Sequence, residues 1–357
     1  MATRFLSEAE IARLEGFPET IDERELARHF HLDGADLTFA RRQHSAPSQL
    51  GFVLQLCSLR WLGFIPEDLT AAPPEAITAL VSLLDVPPRS IFDYSVRPQT
   101  RREHRPLVRE HAGFAAAGER SLEPVRVWLI ERALEHERPS LLFAELCGEL
   151  RRRRIERPAV AQAMRLVAWA RERAREQTFE RLTPQLTDPI RARLDGLLVT
   201  NGGRCQHAWL RSRPTSVSAR ALRSELDKRA FLLDELGAGR LDLSALPPNR
   251  RSWLAQTGKQ QTNQALARME PERRYPVLMC FCVEALERAT DDAIEIYGRA
   301  LGTADRAAQR KREELERRGR RDIQTTVRRF IDLSQVVLDA GTFAPPLPWI
   351  CHPRALQ

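Results

Sequence analysis

Chemistry usually announces itself through carboxylates, histidines and cysteines at telling distances, and in this chain those residues do not assemble. His136-Glu137 is not followed by the second histidine of a zinc-binding helix. Asp291-Asp292 and the Asp22, Glu23, Glu25 group come with no third carboxylate, base or ligand at informative spacing, and read as solvated helix surface. Gly258-Lys259 lacks the upstream glycine of a phosphate-binding loop. The six cysteines, Cys57, Cys147, Cys205, Cys280, Cys282 and Cys351, form no C-x-x-C pair, and the eight histidines do not cluster with them. Reduced, mostly buried thiols in a cytoplasmic protein are expected. No catalytic residue, cofactor or metal site is predicted.

Arginine is the residue with chemical reach here. Net charge is +8, and Lys228, Lys259 and Lys311 are the only lysines among the 56 basic residues. Guanidinium forks bind phosphate bidentately and stack on bases, which suits nucleic acid; codon usage in a GC-rich genome gives the same bias. Three segments concentrate them. The first carries Arg97, Gln99, Thr100, Arg101, Arg102 and Arg105, after a helix, turn and second element over Ile77–His104. Arginine and glutamine read guanine and adenine edges, while threonine reaches phosphate. The second runs from the helix at Leu141–Leu150 through Arg151–Arg154 to a helix after Pro158. There Val160, Met164 and Val167 face inward, and Gln162, Arg165, Trp169 and Arg173 share the opposite face. A tryptophan outward beside glutamine and arginine suits a recognition helix in a major groove, with Arg153 and Arg154 on phosphates. It suits packing on a neighbouring helix equally well. The third, Arg310–Arg321, offers Glu313/Arg317, Glu314/Arg318 and Glu316/Arg320 at i,i+4 with the acid first, the pattern of a solvated helix.

Helices must position all of these. Ser7 with Glu10 forms a capping box, and Asp33 or Asp36 caps before an apolar run at Gln49–Arg60 that is hydrophobic on nearly every side and so must be buried. Pro73-Pro74 and Pro87-Pro88 bracket one helix, and Thr200-Asn201-Gly202-Gly203 marks a turn. A long helix is expected over Val277–Leu301 and a separate last one over Ile323–Leu338. No segment alternates apolar and polar residues for long, so the fold class is all-α. Two or three helical domains with helix-turn-helix-like units are expected: 1–115, 116–200 and 201–341, then a Pro-rich tail at 342–357. The apolar run Pro276–Val283 is far short of the ~20 residues of a membrane span.

Several stretches resemble, in order, the N-terminal region of the large bacterial replicative transposases of the Tn-three family. These are Leu26–Phe30 with Arg41–Gly63, Gln99–His104, Arg273-Arg274-Tyr275-Pro276-Val277-Leu278 through Thr290–Glu295, and Arg310–Leu338. Trp61-Leu62 stands where Tyr-Pro is more usual, and Pro345–Gln357 does not resemble the family. The resemblance implies helical domains that bind the terminal inverted repeats of a transposon. It also implies a much later RNase-H-like catalytic domain, carrying three metal-binding acidic residues, that this chain lacks. The expectation is therefore a truncated, non-enzymatic chain, cytoplasmic and nucleoid-associated, whose partners are double-stranded DNA at transposon ends and a full-length transposase, with no membrane. A helical assembly fragment, or an inactive remnant without specific DNA binding, is the alternative.

Overall fold

Apolar stripes at helical spacing, some of them begun by a side-chain cap, set the helices of this chain, and the computed structural model, which describes residues 5–96 and 98–341, shows sixteen of them among those residues. Arg97 and the Pro-rich tail at 342–357 lie outside the described residues. In order they are α1 (Glu8–Glu15), α2 (Glu23–His29), α3 (Gly34–Arg41), α4 (Ala46–Leu62), α5 (Pro74–Leu84), α6 (Ser90–Ser95), α7 (Pro98–Ala112) and α8 (Glu119–Glu135). Then come α9 (Pro139–Arg152), α10 (Val160–Leu182), α11 (Asp188–Gly196), α12 (Gln206–Arg211), α13 (Ala219–Ala230), α14 (Pro248–Gln260), α15 (Asn263–Ala267) and α16 (Pro271–Gly341). The fold is all-α. The only strands among the described residues are β1 (Thr200–Asn201) and β2 (Arg204–Cys205), a short antiparallel hairpin around the Gly202-Gly203 turn.

The chain divides into two compact units, Met1–Ser212 with Phe231–Leu286, and Arg213–Ala230 with the chain from Glu287 onward. The first unit holds three apolar cores. At the centre of one is α4, which Ser45 caps and Gly63 ends in the left-handed region at φ 78°. Phe52, Val53, Leu54, Leu56, Cys57 and Leu59 have no exposed surface. Burying a side chain of this kind is worth roughly 1.5–3 kcal/mol, so α4 organises the helices around it. Gln55, the polar residue inside this apolar helix, is equally buried; its Nε2 donates to Tyr94 Oη (2.8 Å) and to the Arg101 carbonyl (3.3 Å), tethering α6 and α7. Asp33 caps α3, and Asp36 completes that capping box. The Asp36 carboxylate also accepts two hydrogen bonds from Arg60 (2.7 and 2.8 Å) and meets His111 Nε2 at 2.7 Å.

The second core is formed by α8, α9 and α10, with Leu6 from the N-terminal segment. The third gathers α11, α12, α14 and the first turns of α16, where Val277, Leu278, Met279, Cys280, Phe281 and Cys282 are all buried. Ion pairs stitch the cores together. Glu137, between α8 and α9, accepts from Arg171 (3.2 Å) and Arg175 (2.6 Å) of α10 and from Arg250 (2.5 Å) of α14. Glu156 does the same for Arg105 and Arg109 of α7. The Gly113–Gly118 stretch is pinned by a parallel bridge between Ala115 and Ile155.

In the second unit, Lys228 pairs with Glu225 across one turn of α13 at 2.8 Å. The sequence divides its C-terminal portion into separate helices, but α16 runs unbroken from Pro271 to Gly341. Gly302 and Gly319 stay helical, and the predicted pairs Glu313–Arg317 (3.9 Å) and Glu314–Arg318 (2.7 Å) form along it. Favourable i,i+4 pairing continues the helix through glycines that cost it about 1 kcal/mol each.

Candidate nucleic-acid interface

Among the described residues, no group of three or more His, Cys, Asp or Glu side chains could hold a metal ion. Among the described residues, no helix is long and apolar enough to cross a membrane. The described cysteines are free. Burial raises the Cys57 and Cys280 thiols to about 12, which leaves them protonated and unreactive. The chemistry of the surface therefore rests with its guanidinium groups, and their partners decide which of them are available.

Helix α10 presents the clearest face. Val160, Ala163, Met164, Val167, Ala170 and Ala174 are buried at helical spacing. This turns Gln162, Arg165, Trp169 and Arg173 outward together, as the sequence pattern requires. Trp169 is 40% exposed, and the Arg126 guanidinium from α8 lies 5.8 Å from its ring centroid. Arg165 is exposed and has no ion-pair partner among the described residues, whereas Arg173 Nη1 is held by Glu176 at 2.5 Å. A planar aromatic with a cation over it, an amide and an unneutralised guanidinium on one ridge are the groups that stack on bases and fork onto base edges or phosphates.

The arginine run before α10 is differently engaged. Arg151 Nη1 donates to the Trp61 carbonyl (3.2 Å). Arg152 (2.6 Å) and Arg153 (2.5 Å) both pair with the buried Glu149 and hold its carboxyl below the usual range. Arg154 is exposed, with φ 54°, and its carbonyl accepts from Ala115 N (2.8 Å). The run thus caps and ties the α9–α10 connection as well as contributing charge.

On α7, Gln99 is exposed and donates to Glu103 (2.8 Å), and Thr100 is half-buried. Arg101, Arg102 and Arg105 line a cavity of about 350 Å³ whose other walls include Gln55, Phe64, Arg157, Pro158 and Ala159. Arg101 donates to the Glu67 carbonyl, and Arg105 is paired with Glu156. The structure therefore brings Arg101, Arg102 and Arg105 together at one cavity and Gln162, Arg165, Trp169 and Arg173 on one ridge. Sequence reasoning missed Arg157, which is 6% exposed and stacks on Phe64 with its guanidinium 3.9 Å from the ring centroid. It stands in the sequence just beyond the Arg151–Arg154 run, and nothing local marks it as buried.

Residues 5–170 match the family model described as a domain of unknown function (DUF4158). The chain is 30% identical over 338 residues to the transposase for transposon Tn21 of Escherichia coli and 31% identical over 339 residues to that for transposon Tn3926 of the same species. It is 28% identical over 340 residues to the transposase for transposon Tn501 of Pseudomonas aeruginosa. Each match covers 94% of this chain and 34% of the relative, so the chain spans about a third of the length of the curated relatives it matches. Over 94% of its length the chain is thus similar to a third of these Tn-three family transposases.

Proposed function

We propose that the chain binds double-stranded DNA at the terminal inverted repeats of a transposon and does no cutting or joining itself. The observation that carries this reading is the α10 ridge, where Gln162, Arg165 and the Arg126-capped Trp169 face outward from a helix anchored by its opposite side. The α9–α10 pair is helix-turn-helix-like in its order, with α10 as the helix for the groove. Gln99, Thr100, Arg101 and Arg102 of α7, and Arg154 before α10, supply further contacts, chiefly to phosphate. The relatives are named as transposases, which makes transposon DNA the natural substrate and a full-length transposase a partner at the same ends.

Fluorescence anisotropy on a terminal-repeat duplex and a scrambled duplex, at two salt concentrations, tests the proposal. The expected result is tighter binding to the repeat, weakening steeply with salt as counterions are released. Equal affinity for both duplexes refutes end-specific recognition. Divalent-metal-dependent nicking of either duplex by the purified chain refutes the non-enzymatic part. One observation favours a second role in assembly: Ile323, Val327, Phe330 and Leu338 of α16 are all more than half exposed.

A further inference from the structure

The cavity lined by Arg101, Arg102, Arg105 and Arg157 has features that recognition of a DNA groove by α10 does not use. Arg157 is buried, yet no carboxylate pairs with it among the described residues. Its Nη2 donates to the Leu14 carbonyl (2.6 Å) and its ring-stacked face is covered by Phe64. Its Nη1 is buried with no hydrogen-bond partner. A buried donor on a cation that is left unsatisfied is costly, and natural proteins tolerate it where a ligand or ordered water completes it. The same cavity wall contains Pro158 and Ala159, which lead into α10. That 23-residue helix starts with no side-chain cap and no acidic residue in its first turn, so its first amides also favour an anion. Arg101 and Arg102 line the same space; Arg105 is already neutralised by Glu156, and Glu15 and Glu67 on the lining are exposed. The second orphan on the cavity wall is Gln55 Oε1, an acceptor.

We infer that this cavity is a binding site for a phosphoryl group, held by Arg157, Arg101 and Arg102 in front of the α10 N-terminus. The site stands on its own geometry and rests on the DNA reading only for the source of the phosphate. A backbone phosphodiester would anchor the duplex beside the α10 ridge. A free phosphate or phosphomonoester would in addition carry an O–H for Gln55 Oε1 when protonated.

Isothermal titration of the full chain with sodium phosphate, in chloride buffer at constant ionic strength, tests the site. Saturable binding at one equivalent is expected. Arg157→Gln should abolish it, and Arg102→Ala, at an exposed position, should weaken it at least about tenfold, the scale of a charge-assisted hydrogen bond. If Arg157→Gln fails to fold by circular dichroism, Arg102→Ala decides. A terminal-repeat duplex added as competitor separates the sources: displacement of phosphate assigns the site to the DNA backbone, and its absence assigns it to a free phosphate compound. Phosphate binding without any duplex binding would remove the DNA reading and keep the site. No saturable heat, or binding that survives Arg102→Ala undiminished, overturns it.

Discussion

Replacing Arg165 by alanine should separate a groove-facing helix from a merely solvated one. Arg165 is exposed on the α10 ridge, without an ion-pair partner among the described residues, so its charge is available to DNA at no cost of breaking an internal bond. Arg153 is the internal comparison, because the buried Glu149 carboxylate already holds it at 2.5 Å. Loss of a guanidinium that forks onto a base edge costs ~1–3 kcal/mol, roughly 5- to 150-fold in affinity, and erodes the preference for the repeat. Loss of a phosphate contact instead lowers the slope of log K against log salt by about 0.9. Arg153→Ala should change both quantities less than Arg165→Ala does, since the Arg153 guanidinium is held against Glu149 and is not free to reach the duplex. The assay is anisotropy titration of both variants across a salt series. An Arg165→Ala chain with unchanged affinity, slope and repeat preference would show that α10 does not lie against the duplex.

Three further outcomes follow from the packing. Glu137→Gln leaves the 2%-exposed Arg250 without its carboxylate; removing one partner of such a buried cluster costs ~3–5 kcal/mol and should lower the melting temperature by about 6–20 °C in calorimetry. A drop of less than about 2 °C would mean that the cluster is well hydrated. Gly51→Ala would place a β-carbon inside the Tyr94 ring, so α4 and α6 must part; a loss of about 1–3 kcal/mol is expected in denaturant unfolding, and none would contradict that close approach. Burial depresses the pKa of His104, whose Nδ1 faces Tyr94 Oη at 3.0 Å, and of His207, whose Nε2 meets the Gly258 carbonyl at 2.8 Å. Because their folded values lie below the unfolded value of about 6.5, the neutral forms stabilise fully above that pH, and stability falls as pH drops beneath it. Asp36, whose carboxyl burial pushes up but Arg60 and His111 pull down on balance, extends the loss below about pH 3.9. Melting temperatures that stay level from pH 7.5 to 5 would be inconsistent with neutral buried imidazoles.

The sequence by itself determined the helical class, the burial of α4 and the two faces of α10. Each is written in a local period: Phe52, Leu56 and Leu59 on one helix, or Val160, Met164 and Val167 against Gln162, Arg165 and Trp169, need no distant residue to be read. The capping box at Ser7–Glu10 was legible for the same reason, as both partners sit within one turn, whereas Asp33, expected before the apolar helix, caps α3 and Ser45 caps α4. What only tertiary structure decided is which arginines are occupied. Arg157 and Arg165 lie eight residues apart in similar surroundings, yet one stacks on Phe64 and donates to Leu14 while the other stays exposed. Glu137 gathers Arg250 from more than a hundred residues away, and Glu156 gathers Arg105 and Arg109 from α7. A guanidinium has the same intrinsic charge everywhere; its availability depends on long-range neighbours that leave no trace in spacing along the chain.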